Sequence, residues 1–331
     1  MIGLRDVACY LPEKTLTSAE LSTRFEFNPG FLENKVGIET RHIAGVGEST
    51  SDMAVRAFER LLERCPDEDL GSVGLVLLCT QNPDYKIPHT AGLVQHRLGL
   101  PKTALSFDIS LACSGYVTTV VTAKALMAEL GVRKALVFTS DPYSKIVDPD
   151  DRTTVALFGD AASVSVLEDG APLQIGKSTF GNDGGRAQAL IVPGSGTAGE
   201  PEVMPRLHMD GRAIYELLKI EAPTNIRECA RLNGIALDDV DLFLFHQASA
   251  WLLNGLVEDL QLARHSVPSK IRVPSNIRGV GNTVSTSIPL LLEEIFTSVD
   301  PLPRTAIMAG FGGGLAWGSV VLRTALAVSA G

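Results

Sequence analysis

The chain has 331 residues, 45% hydrophobic and 20% charged, an ordinary globular balance with room for two domains or one large duplicated one. A net charge of −9, with no basic stripe carrying interleaved aromatics, argues against nucleic acid or an anionic membrane as the main partner. Five cysteines, an odd number without short metal-type spacing, suggest neither a disulfide framework nor a metal site. In chain order, Met1–Ala8 reads as a first strand rather than a secretory leader, and no run of about 18 apolar residues is present to span a bilayer. A cytoplasmic protein is expected. Strands are expected over Val73–Cys79, Lys134–Thr139, Ala162–Leu167, Val240–Phe245 and Thr305–Ala309. Helices are expected over Ser51–Arg64, Thr90–Leu98, Ser114–Leu130, Gly211–Leu232, Ala250–Leu260 and Thr286–Ser298. Gly181–Val203, rich in Gly and Pro, reads as surface loop. The alternation predicts a layered α/β fold.

A weak internal repeat runs through this order. Val73–Cys79 leads to a helix, then Leu98-Gly-Leu100, a further strand, and a turn at Cys113 into a helix. Val240–Phe245 leads to a helix, then Leu260-Gln-Leu262, a further strand, and Gly281-Asn-Thr283 opening a helix. If the halves are related by a pseudo-two-fold, Cys113 and Asn282 occupy equivalent helix mouths facing a common centre. Chance similarity between α/β units gives the same pattern.

Cys113 lies where Ser106-Phe-Asp-Ile-Ser-Leu-Ala-Cys-Ser-Gly-Tyr116 passes from a strand-like run into a helix apolar or small almost all round. Backbone N–H groups and the positive dipole end at that mouth favour thiolate over thiol, and thiolate is the nucleophile. A small core hydrophobe is the commoner role of a lone Cys, and it is retained for Cys9, Cys65, Cys79 and Cys229. His246 ends an apolar strand at the edge where ligands collect in α/β folds, a place equally open to a hydrogen-bonded core histidine. Asn282 between Gly281 and Thr283 also suits a turn or a helix cap. In Gly310-Phe-Gly-Gly-Gly-Leu-Ala-Trp-Gly318 three successive glycines permit close backbone approach, and an exposed N–H there can serve an oxyanion. No Lys-Ser/Thr follows, unlike a phosphate-binding loop.

Taken together, the Cys113 turn, His246-Gln-Ala, Gly281-Asn-Thr and Phe311-Gly-Gly-Gly-Leu-Ala-Trp-Gly318 resemble, in order, the ketoacyl-ACP synthase III enzymes of the thiolase superfamily, among its chalcone synthase-like condensing enzymes. Tyr10-Leu-Pro-Glu13, Val36-Gly-Ile38 with Arg41-His-Ile-Ala44, Asp148-Pro-Asp-Asp-Arg152 and Phe158-Gly-Asp-Ala161 extend the resemblance over essentially the whole chain. It implies a thiolase fold of duplicated α/β halves in five αβαβα layers: residues 1–170 carrying the nucleophilic Cys, and 171–331 carrying the His and Asn. By the resemblance, Cys113 takes an acyl group from acyl-CoA, and the N–H groups of Cys113 and Gly313 hold the tetrahedral oxyanion. His246 and Asn282 then stabilise the enolate formed as a malonyl thioester, on ACP or CoA, loses carbon dioxide. The alternative is a non-condensing acyltransferase that passes the Cys113 acyl group to an alcohol or amine. No cofactor or metal is implied beyond coenzyme A thioesters as substrates, and a homodimer is.

Phe311 matches a position bordering the nucleophile, and Arg152 one lining the coenzyme A entrance. The tryptophan that commonly stacks on adenine is Phe31 here, and a nearby arginine is Lys35. Asn82-Pro-Asp-Tyr-Lys-Ile-Pro88 resembles a loop that closes the partner's acyl pocket. Ile87 there replaces a bulky aromatic, so tolerance beyond acetyl is expected, while Tyr85 and Lys86 can instead meet a polar acyl end. The surface that usually attracts acidic ACP departs most. Trp251 stands where an arginine is typical, Tyr215-Glu216 where a lysine is common, and Glu258 and Asp259 end a usually basic helix. Basic Arg212, Lys219, Arg264 and Lys270 lie nearby in sequence; ACP docking is in doubt. Primary fatty-acid initiation and specialised acyl-chain pathways fit equally.

Overall fold

The computed structural model describes residues 1–27, 31–198, 205–262 and 272–325, without the side chains of 33–35. Nine strands form one mixed sheet: β1 (Ile2–Tyr10), β2 (Val73–Cys79), β3 (Leu105–Ile109), β4 (Lys134–Ser140), β5 (Ala162–Asp169), β6 (Leu173–Asn182), β7 (Leu242–Phe245), β8 (Thr305–Gly312) and β9 (Ala316–Thr324). Their order is β7-β8-β9-β6-β1-β5-β4-β2-β3. β2 is parallel to both β3 and β4, while β4–β5 and β5–β1 are antiparallel. The other end repeats this order: Arg272 bridges β7 in parallel, β7–β8 is parallel, and β8–β9 and β9–β6 are antiparallel.

Among the described residues the two runs are joined within the sheet where Gly3 and Leu4 pair with Gln174 and Leu173. A Cβ on Gly3 would lie 2.6 Å from the Leu173 carbonyl oxygen, so this joint needs glycine.

Six helices make the remaining layers: α1 (Thr50–Arg64), α2 (Thr90–Arg97), α3 (Gly115–Leu130), α4 (Gly211–Leu232), α5 (Ala250–Asp259) and α6 (Ser287–Thr297). α1 is amphipathic and starts on a capping box of Ser49 with Asp52. It covers the outer face of β1, β4 and β5, and α2 covers β2 and β3. α4 covers β6, β8 and β9, with α5 beside it. α3 touches β1, β2 and β4 of one run and β6, β8 and β9 of the other, while α6 touches β1, β5 and β7. The two central helices are therefore enclosed by sheet on both sides, which is why α3 carries no amphipathic pattern and one large cluster unites it with β2, β8 and α6. The result is five layers, αβαβα.

β2 is a continuous apolar run because both faces are covered. β6 and β9 were not among the expected strands. Leu173-Gln-Ile-Gly-Lys-Ser-Thr-Phe-Gly-Asn182 mixes glycines and polar residues with a few apolar ones, a pattern that reads as loop until β1 and β9 flank it. The expected Gly181–Val203 loop accordingly starts in a strand, and within it Leu190–Ile191 pairs with His208–Met209. β7 begins at Leu242, two residues later than expected, because Leu237–Asp239 forms a 3₁₀ turn. No described helix is long and apolar enough to cross a membrane.

Candidate active site

Cys113 occupies the turn from β3 into α3, held by the Gly115 N–H donating to the Ala112 carbonyl at 2.7 Å. A Cβ on Gly115 would lie 2.2 Å from Cys79 Sγ, so this glycine lets the turn press onto β2. The corresponding mouth of α6 carries Asn282, whose N–H donates to the Leu157 carbonyl at 2.9 Å. His246 follows β7 directly, its N–H donating to Ala309 of β8 at 2.9 Å. Cys113, His246 and Asn282, more than 130 residues apart between first and second, line one cavity of about 140 Å³ with Phe311, Gly312 and Gly313. The remaining wall is mostly apolar, from Leu157 and Phe158 to Leu218 and Leu252, and includes Tyr215 packed at a tilt on Trp251, with ring centroids 4.0 Å apart.

The glycine run is the hairpin from β8 to β9, with Gly312 paired to Ala316. It brings backbone against Cys113: a Cβ on Gly312 would lie 2.9 Å from Cys113 Sγ, and one on Gly310 2.7 Å from the Cys113 carbonyl oxygen. The N–H groups of Gly313 and of Cys113 itself are directed at the sulfur. The expectation of a resting thiolate is overturned. Burial pushes the Cys113 thiol up to about 12, outweighing the Gly313 N–H, while the Asp141 carboxylate adds to the rise. Removing water costs the anion more than two N–H groups and a helix end return.

Burial pushes His246 down to about 3 against the pull of the Val284 carbonyl, so its imidazole is neutral. Its Nδ1 meets Ser287 Oγ at 2.7 Å, and the Ser287 hydroxyl lies 3.0 Å from the Val284 carbonyl oxygen. This leaves Nε2 as the ring nitrogen available to the cavity. The ring stands edge-on to Phe311 at 5.7 Å. The Val284 N–H donates to Asn282 Oδ1 at 3.0 Å and Asn282 Nδ2 donates to the Ala248 carbonyl at 3.5 Å, which leaves the second N–H of the amide for the cavity. Val284 thus orients both side chains, and does so at φ +53°, an uncommon conformation for a β-branched residue.

Asp141, fully buried, receives the Gln81 N–H at 2.8 Å, the Thr80 hydroxyl at 3.4 Å and the Ser285 hydroxyl; burial still raises it to about 6. It ties the ends of β2 and β4 to the Asn282 segment. Ser287, Val284 and Asp141 went unnoticed in the sequence. Their signal was slight: hydroxyl-rich Val284-Ser-Thr-Ser287 directly after Asn282, and an aspartate ending a buried strand.

Phe31 and Arg152 stand apart from the cavity lining. The Arg152 guanidinium lies over the Phe27 ring at 4.7 Å, and Phe27 stacks on Phe31 at 5.5 Å with the planes 8° apart. Ile87 is 88% exposed and also outside the lining, beside exposed Tyr85. The Lys35 side chain, Arg264 and Lys270 lie outside the described residues.

Five layers with a buried cysteine at the mouth of one central helix and an asparagine at the other define a thiolase-like acyltransferase of the condensing class. Residues 107–184 match the model of 3-oxoacyl-[acyl-carrier-protein] synthase III, and residues 230–324 match its C-terminal model. A Streptococcus suis beta-ketoacyl-[acyl-carrier-protein] synthase III is 34% identical over 97% of this chain and 98% of its own. The crystal structure of the Pseudomonas aeruginosa 3-oxoacyl-(acyl carrier protein) synthase III superposes with a TM-score of 0.86 at 30% identity, covering 98% of both chains. The priming beta-ketosynthase of the R1128 polyketide pathway gives 0.87 at 28% identity over 98% of this chain and 96% of its own. The chain belongs to the 3-oxoacyl-ACP synthase III family, and is a β-ketoacyl synthase.

Proposed function

We propose that Cys113 carries the acyl group and that His246 and Asn282 drive the decarboxylative step. One observation carries the assignment: these three side chains and the Gly313 N–H converge on a single, largely apolar cavity. In the first half-reaction the Cys113 sulfur attacks the acyl-CoA carbonyl, the carbon–sulfur bond to CoA breaks, and the cysteine proton leaves with the CoA thiol. The Cys113 and Gly313 N–H groups receive the oxyanion. In the second, a malonyl thioester loses carbon dioxide, and its enolate oxygen is held by the Asn282 amide and by the His246 imidazole in its Nε2–H tautomer, with the Ser287 hydroxyl turned to donate to Nδ1. Neutral donors suit this task, because the charge they meet appears only in the transition state. The enolate carbon then attacks the acyl-cysteine, and the released thiolate takes up a proton.

The extender carrier is proposed as ACP, in line with the relatives' names, or CoA. Exposed Trp251 beside Tyr215 at the cavity, with Asp259 on α5, offers an acidic partner little attraction. Two halves, 1–170 and 171–331, are supported by the repeated strand order. A homodimer is supported by β3, which ends the sheet with Leu105 exposed. Cytoplasmic residence is supported by five unpaired cysteines.

The test is intact-mass measurement after incubation with acetyl-CoA, followed by malonyl-CoA or malonyl-ACP with carbon dioxide release recorded. Wild type gains one acyl group, Cys113→Ala gains none, and the malonyl donor discharges the acyl-enzyme. Acylation of Cys113→Ala would refute the nucleophile. Acyl loading without carbon dioxide from either donor would favour the non-condensing alternative.

A further inference from the structure

The acyl group on Cys113 has two directions open to it. One is the cavity shared with His246 and Asn282, which the malonyl thioester must enter in the second half-reaction. The other lies past Phe158, which lines that cavity with Cys113, into the apolar cluster they form with Ala112, Tyr143, Val147, Leu207 and Val284. A chain left in the first would block its own condensation, so the acyl tail belongs in the second.

Beyond Phe158 the cluster is filled. Tyr143 is 1% exposed, and its ring packs on Phe158 with centroids 5.0 Å apart. Its hydroxyl donates to Gln81 Oε1 at 2.6 Å. Gln81 Oε1 in turn lies 4.0 Å from the position of a Cβ on Gly313, the residue whose N–H faces the Cys113 sulfur. Gln81 is pinned as well, its N–H on Asp141 at 2.8 Å. The Tyr143 backbone is fixed by its N–H on the Asp141 carbonyl, also at 2.8 Å. Sulfur, glycine backbone, Gln81 amide and Tyr143 phenol therefore form a continuous wall around the place an acyl tail would occupy.

We propose that the Tyr143–Gln81 pair is the specificity-determining element for the starter, limiting Cys113 to short acyl groups of acetyl or propionyl size. The inference rests on the assignment of Cys113 as acyl carrier, and it reverses the tolerance beyond acetyl expected from Ile87. A longer chain must displace a close-packed ring, and each methylene forced into a filled site is resisted. It must also break the Tyr143–Gln81 hydrogen bond and leave the phenol unpartnered among apolar groups.

The experiment is the rate of Cys113 acylation, followed by intact mass, with acetyl-, butyryl- and hexanoyl-CoA on wild type, Tyr143→Phe and Tyr143→Ala. Wild type should prefer acetyl over hexanoyl by at least about 100-fold, the scale on which sites reject added methylenes. Tyr143→Ala should reduce that preference at least tenfold while still loading acetyl. Tyr143→Phe, which keeps the ring and loses only the bond to Gln81, should fall between. Hexanoyl loading by wild type as fast as acetyl would overturn the proposal. So would an unchanged preference in Tyr143→Ala that still loads acetyl. If Tyr143→Ala does not fold, an unchanged preference in Tyr143→Phe overturns it instead. Failure of every acyl-CoA to label wild-type Cys113 would instead overturn the carrier assignment itself.

Discussion

Gly312→Ala tests how closely the β8–β9 hairpin is fitted to Cys113. The new methyl would stand 2.7 Å from Cys113 Cβ and 2.9 Å from its sulfur. Neither neighbour is the end of a long, flexible side chain. Cys113 is held by the turn at Ala112–Gly115, and Gly312 by its pairing with Ala316, so the clash must move backbone or swing the thiol out of place. Gly312 also has φ +154°, which costs a non-glycine residue about 1–3 kcal/mol. Overpacking adds about 1–3 kcal/mol more. Gly312→Ala is therefore expected to lose about 2–6 kcal/mol in urea denaturation, the two contributions combined. Displacing the sulfur by about 1 Å is expected to slow acetyl loading roughly 100-fold. The two readouts are equilibrium unfolding and time-resolved intact mass with acetyl-CoA. A variant with wild-type midpoint and wild-type loading rate would refute the close fit between hairpin and cysteine.

Two other perturbations follow from the buried charges and the sheet edge. His246 stands at about 3 folded against 6.5 unfolded, so the unfolded chain binds the extra proton between those values and stability falls on acidification from pH 6.5. Asp141 stands at about 6 folded against 3.8 unfolded, so there the folded chain binds the extra proton and stability rises as pH falls from 6. The two oppose each other between pH 6 and 3.8, and Asp141→Asn should steepen acid loss by about 1.4 kcal/mol per pH unit across that window. Denaturation series at pH 7, 6, 5 and 4 measure it, and parallel profiles for variant and wild type would contradict the assignment. Light scattering on the intact protein is expected to give twice the chain mass. A single-chain mass at micromolar concentration would remove the homodimer.

The sequence carried the fold class through its alternation of short apolar runs and helical segments, and it located β2, α1 and α4 to within a residue. It also picked out residues that the structure brings to one cavity, because close approach and a helix mouth demand particular residues: glycines at 312 and 313, a cysteine before α3, an asparagine before α6. β6 escaped notice because its strand character comes from its neighbours β1 and β9 rather than from its own residues. The coenzyme-entrance residues were a matter of resemblance; the structure sets Phe31 and Arg152 on either side of Phe27, a grouping no spacing in the sequence announces.

Tertiary structure alone decided the state of the site. Local sequence argued for a thiolate at Cys113, because a helix end and its N–H groups are local features. Desolvation is not local: it depends on β2, β8 and the hairpin closing over the sulfur, and it prevails. The same holds for Tyr143, an unremarked tyrosine in the sequence, which becomes a wall only when Gln81 and Gly313 arrive beside it. Residue types and spacing determined what chemistry the chain carries. Packing between distant segments decided its protonation and the room left for a substrate, because both depend on what excludes water and fills space.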